Sequence, residues 1–152
     1  MKNLIDVEVK SVVVISTQEG IPQAFAVILK EKEGSRILPI YIGGFEANAI
    51  QMAKDGERFE RPLTHNLLVN ILETLGAKVE RVVINDLIES TFYARIILNH
   101  GEKTYSIDAR PSDSIAIALL SNAPIYVSSH VLDQAGEYSS GWEEGEGQGD
   151  WD

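Results

Sequence analysis

"TFYARIILNHGEKTYSIDARPSDSIAIALL", residues 91–120, decides the fold class. Two strand-like runs, 91–99 and 103–109, meet around Asn99-His100-Gly101, a good hairpin signal. An almost wholly apolar helix, 112–121, follows at once. Pro111 suits a helix's first turn, and Asp113 there complements the positive end of the helix dipole. Two strands in succession before a helix break the strict alternation of a doubly wound fold.

Working outward, residues 78–85 add a third strand before this hairpin, and 124–128 add another after the helix. A short helix from about 129 to 135 closes the series. Upstream, residues 6–15 and 23–30 read as a hairpin turning at Gly20 and Pro22. Residues 36–42 follow as a strand whose Pro39 predicts an edge position or a bulge. Gly43-Gly44 makes a tight turn into a short helix at roughly 45–55, with Glu46 in its first turn. The segment 64–75 is the clearest amphipathic helix. Leu67, Leu68, Ile71, Leu72 and Leu75 share one face, Thr64 is the expected N-cap and Gly76 the expected stop. The order predicts an α+β domain: a mixed, largely antiparallel sheet with about four helices in a single compact domain, residues 1–136. Two echoes, Arg61-Pro62 with Arg110-Pro111 and "LPIYI" (38–42) with "APIYV" (123–127), do not repeat in a clean order.

The chain has 152 residues, 44% apolar and 24% charged, ordinary for a globular protein, and no cysteine. Disulfides and thiolate metal sites are thereby excluded. Acidic residues break up the N-terminal apolar run, and no segment approaches the ~20 apolar residues of a membrane helix, so a cytoplasmic protein with no membrane partner is expected. Of the net charge of −10, six acids fall at or after Glu137, leaving 17 acids against 13 Lys plus Arg in the body. Residues 137–152, acidic and Gly-rich with Trp142 and Trp151, are expected to be disordered. Such a charge repels a polyanion unless basic residues cluster or a metal intervenes.

No P-loop, GxGxxG, HExxH, GxSxG or paired CxxC motif is present. Helix capping accounts for Pro111, Ser112 and Asp113, but not for Arg110 and Asp108, which either pair structurally or serve a site. Thr64-His65 behind Arg61 repeats the arrangement at a second helix start. Free N–H groups there suit a phosphate, Arg61 or Arg110 adds bidentate contacts, and His65 can move a proton or bind a metal. His100 at a hairpin tip is read as solvated, and His130 as part of a helix start.

The blocks "ILPIYIGGFEANAI" (37–50), "RPLTHNLLVNILETLGAKVERVVINDL" (61–87), "TFYARIIL" (91–98), "IDARPSDSIAIAL" (107–119) and "APIYV" (123–127) resemble, in order, the bifunctional nuclease domain family. The resemblance implies a compact, often self-associating α+β domain acting on DNA and RNA. It directs attention to Glu46, Arg61, Thr64, His65, Asp86, Asp108, Arg110, Ser112 and Asp113. The family commonly has Asp after the His of its RPxTH block, where this chain has Asn66. Phosphodiester hydrolysis needs an activated water and charge neutralisation at phosphorus. Asp113, Asp108, His65 and Glu46 are the candidate catalytic groups. Arg61, Arg110, Thr64 and Ser112 are the candidate substrate contacts, and Asp108, Asp113 and Asp86 candidate ligands for Mg²⁺ or Mn²⁺. The competing class is a non-catalytic oligomeric binding or regulatory domain.

Overall fold

The computed structural model describes residues 3–15 and 24–138. The expected turn at Gly20 and Pro22 lies outside them, as do residues 139–152 with Trp142 and Trp151.

Eight strands form one sheet in the order β6-β5-β4-β7-β1-β2-β3-β8. Strands β1 (Leu4–Ile15), β2 (Ala24–Glu31) and β3 (Arg36–Ile42) make one antiparallel meander. Strands β4 (Ala77–Ile88), β5 (Thr91–His100) and β6 (Lys103–Ala109) make a second. Strand β7 (Ile125–Ser128) joins them, antiparallel to β1 and parallel to β4. That single parallel pairing makes the sheet mixed. Among the described residues, strand β8 (Glu137–Tyr138) pairs with Arg36 and Ile37 only, so Pro39 sits where β3 has no paired strand on its outer side. Glu137 and Tyr138, expected to begin the disordered tail, are thus the sheet's last rung.

Four helices, α1 (Gly44–Asp55), α2 (Thr64–Thr74), α3 (Pro111–Ser121) and α4 (Ser129–Ala135), complete the α+β domain. Helix α3 is apolar all round because it is packed all round. Ile115, Ala116, Ile117 and Ala118 are buried against Val82, Ile84, Ala94 and Ile96 of the sheet and Ala47 and Ile50 of α1. Asn122 ends it in a left-handed conformation, and Ala123 N–H donates to Ala118 O at 2.9 Å. Gly76, at φ 81°, stops α2 as expected. Arg36 fixes the other end of the sheet, bonding Glu31 Oε1 through Nε at 3.2 Å and Asp133 Oδ1 through Nη1 at 2.8 Å. Burial pushes the Glu31 carboxyl up, but the Arg36 hydrogen bond, the larger effect, holds it below its ordinary value.

Helix α2 departs from expectation. Its apolar residues share one face as expected, yet most of that face is open: Leu67 and Ile71 are each 49% exposed, Leu68 41% and Leu75 66%. Val69 is buried and Leu72 packs partly against the core. Together with His65, these residues make a narrow inner stripe at i, i+4, i+7 spacing, turned away from the leucine-rich side. Thr64 is not the N-cap either. Leu63 holds that position and no side chain caps the helix.

Candidate functional site

Three helices begin at one place. Glu46 lies in the first turn of α1, His65 in that of α2, and Asp113 in that of α3, with Arg110 at the α3 N-cap position. His65 Nε2 is 2.9 Å from Asp113 Oδ1. Arg110 donates through Nε to Asp113 Oδ2 at 2.9 Å and through Nη1 to Glu46 Oε2 at 3.5 Å. One chain of polar contacts, His65–Asp113–Arg110–Glu46, therefore ties the positive ends of three helix dipoles together.

Burial pushes the Asp113 carboxyl up, but hydrogen bonds and charge from Arg110 and His65 outweigh it and hold the group below its usual value. The same bond to Asp113 raises Arg110 above its usual value. A carboxylate that accepts from His Nε2 selects the tautomer with Nδ1 free to take a proton. Asp113 thus orients both an imidazole and a guanidinium.

Beside this chain lies an open cleft of about 380 Å³, lined by Gly43, Glu46, Arg110, Pro111 and Ser112 with Tyr41, Ser90, Thr91 and Phe92 among others. Ser112, 7% exposed, lies at the base of α3 beside Arg110. Arg110 is 64% exposed, and a guanidinium with five N–H donors keeps some for a ligand after meeting two carboxylates. His65 does not line this cleft. It borders a small cavity of about 30 Å³ with Asn66, Met52 and Leu63.

The remaining expected residues stand elsewhere. Asp108 faces Arg95 across the β5–β6 ladder at 3.8 Å, so the structural pairing read for Asp108 with Arg110 is made with Arg95 instead. Asp86 accepts from Leu87 N–H at 2.9 Å and lies 3.3 Å from His130 Nε2 at the start of α4. Arg61 and Thr64 are exposed and outside the polar chain. His100, expected to be solvated, reaches Leu75 O at 3.0 Å. Among the described residues no three His, Asp or Glu side chains gather as metal ligands. Asp108, beside Arg95, Asp113, beside His65 and Arg110, and Asp86, beside His130, do not fit a shared Mg²⁺ or Mn²⁺.

Two features of the cleft were not foreseen. A Cβ on Gly43 would collide with Glu46 Oε1, and Gly43 has an ordinary φ of −79°. This glycine makes room for a carboxylate rather than supplying a turn. The β4–β5 turn, Glu89-Ser90, carries φ of 49° and 67° in two non-glycine residues and places Ser90 on the cleft wall. Neither residue pair carries the Asn-Gly signal that would have announced such a turn.

The model of the bifunctional nuclease domain matches residues 27–140, most of the chain. The chain belongs to the bifunctional nuclease domain family. An uncharacterized protein of Mycobacterium tuberculosis is 48% identical over 109 residues, covering 72% of this chain and 65% of that protein. Bifunctional nuclease 1 of Oryza sativa subsp. japonica is 31% identical over 110 residues, 70% of this chain and 33% of the relative. Bifunctional nuclease 2 of the same plant is 32% identical over 113 residues, 72% and 34%. The chain thus spans under two thirds of the mycobacterial relative and about a third of the plant ones. Glu46, His65, Arg110 and Asp113 all fall inside the stretch matched by the bifunctional nuclease model. No helix among the described residues is long and apolar enough to cross a membrane.

Proposed function

We propose that this domain hydrolyses phosphodiester bonds of DNA and RNA in the cleft between the α1 and α3 N-termini. The observation that supports the reading is the convergence of three helix N-termini on the Asp113–Arg110 pair, a setting that attracts a phosphate in an otherwise acidic protein. The phosphate meets the α3 amides, Ser112 and Arg110. The 3.5 Å contact from Arg110 to Glu46 is longer than the 2.9 Å contact to Asp113, and it is the one a phosphate displaces. Glu46 is then a carboxylate freed beside the bound diester, placed to take a proton from the attacking water. The water oxygen bonds to phosphorus, the ester P–O bond breaks, and the leaving oxygen takes a proton from solvent in the open cleft. Asp113 and His65 act behind this exchange, fixing Arg110 where negative charge develops. The resemblance of the plant relatives, named nucleases, supports the same reading.

The test is cleavage of single-stranded DNA and RNA by purified protein, with and without added Mg²⁺ or Mn²⁺. Glu46→Gln, Arg110→Ala and Asp113→Ala should each abolish it. Cleavage that survives all three changes belongs to another site or another protein.

A second reading, a non-catalytic binding or regulatory domain, is favoured by the net charge of −10, which opposes a polyanionic substrate. It expects no cleavage by the unaltered chain, with the same substitutions lowering stability.

A further inference from the structure

The exchange between Arg110 and Glu46 uses one half of the cleft. The other half is apolar and aromatic, with Ile42 and Phe92 on its wall and Ser90 and Thr91 beside them. Phe92 shares a strand face with Ala94 and Ile96, the face that packs toward α3. The β5–β6 ladder sets Ala94 opposite Ala109. Two residues on, Phe92 comes level with Pro111, where β6 has given way to α3. Its ring is half-buried against the core and keeps part of its surface for the cleft.

Size and charge narrow the occupant. The cleft holds about 380 Å³, toward the lower end of the ~300–1,000 Å³ of small-molecule sites. Its charged residues are Glu46 and Arg110. One guanidinium matches one phosphate group rather than a polyphosphate chain. A ligand with a single phosphate at one end, a flat apolar ring at the other and hydroxyl groups between has the outline of a nucleotide.

We infer that the cleft is a mononucleotide site, with the phosphate at Arg110 and Ser112, the sugar beside Ser90 and Thr91, and the base stacked on Phe92. The inference rests on the phosphate reading above for one end only; Phe92 carries the other. A base inside a duplex already has both faces covered, so the site takes a nucleotide from an unpaired strand. Every base has a π-face, so Phe92 selects for strand state and not for sequence.

Titrations of the ¹⁵N-labelled full chain, followed by NMR, test it with three probes: adenosine 5′-monophosphate, uridine 5′-monophosphate and ribose 5-phosphate. Both nucleotides should shift the Ser90 and Phe92 amides and bind about tenfold or more tighter than ribose 5-phosphate, the gain expected from one stacked base. Phe92→Leu should remove that advantage and leave ribose 5-phosphate affinity unchanged, Phe92→Tyr should keep it, and Arg110→Ala should weaken all three probes. Nucleotides that bind no tighter than ribose 5-phosphate to the unaltered chain overturn the inference, with no variant needed. So does an advantage that survives in folded Phe92→Leu. Neither measurement requires cleavage. A chain that cuts nucleic acid but shows no gain from the base loses this inference and keeps the nuclease reading, and one that binds both nucleotides through Phe92 but cuts nothing does the reverse.

Discussion

His65 of α2 and Asp113 of α3, 48 residues apart in sequence, meet at 2.9 Å, and the same carboxylate holds Arg110 at 2.9 Å through its other oxygen. A single side chain therefore sets the position of two others. Asp113→Asn keeps the shape but supplies one acceptor oxygen where two were used, and its amide presents donors to Arg110. It is expected to lower cleavage at least about a hundredfold, within the range of lost electrostatic positioning. His65→Ala, which leaves the Arg110 contact in place, should cost less. Steady-state kinetics on both variants checks the order, and an equal loss would show that His65 acts directly.

Gly43 gives a sharper test of Glu46. Gly43→Ala sets a methyl group against Glu46 Oε1, so that carboxylate has to shift, without changing any charged residue. Cleavage should fall as it does in Glu46→Gln, with melting temperature within a few degrees of the unaltered chain. Gly44→Ala serves as the contrast, since its Cβ meets the Phe25 ring at 3.3 Å and strains packing rather than the polar chain. If Gly43→Ala and Glu46→Gln both retain full activity, Glu46 is not the base.

Acid should loosen the sheet end held by Glu31. Its folded pKa lies below the ordinary value, chiefly through the Arg36 hydrogen bond. A group of this kind contributes stability above its unfolded pKa, about 4.3 for Glu, and loses it as pH falls through the lower folded value. Thermal melts of the unaltered chain and Glu31→Gln should differ by a constant gap from pH 7 down to roughly 5, then converge as the pH falls through the lowered folded value. Asp113 has the same sign, its two hydrogen-bond donors overcoming the effect of burial. A gap that widens in acid contradicts the assignment.

The Glu89-Ser90 turn carries two left-handed non-glycine residues. Replacing the pair with Asn-Gly relieves that cost and should stabilise the domain by about 1 kcal/mol. Denaturant unfolding measures it. A destabilisation would mean that the Glu89 or Ser90 side chain contributes more than the backbone strain removes.

The strands and the helix starts were legible because they rest on local chemistry. Alternation marked β5 and β6, Pro111 and Asp113 marked the first turn of α3, and Gly76 marked the end of α2. Two misreadings share another cause. The leucine-rich face of α2 looked like a core face because periodicity records which residues agree in direction, not what that direction meets. Thr64 looked like a cap because its type is right, while the backbone placed Leu63 there. At the site, Glu46, His65, Arg110 and Asp113 could be nominated from type and position, and the structure brings them together. Asp108 and Asp86 were nominated on the same grounds but stand with Arg95 and His130, because alternation along a strand gives an acid's face and not the residue that the fold sets beside it. Gly43 carried a signal read too narrowly: a glycine can leave space as well as turn a chain.

The placement of β7 has a consequence for how the chain is made. Residues 125–128 lie at the middle of the sheet, yet they are among the last of the domain to be synthesised. Each three-stranded meander can assemble as soon as it emerges, through neighbours close in sequence. Neither has its inner edge covered until β7 arrives, so for most of translation β1 and β4 present open backbone to whatever is nearby. A chain cut short before Ile125 would thus carry two half-sheets with adhesive margins, and one that includes Ser128 a sheet that can shut.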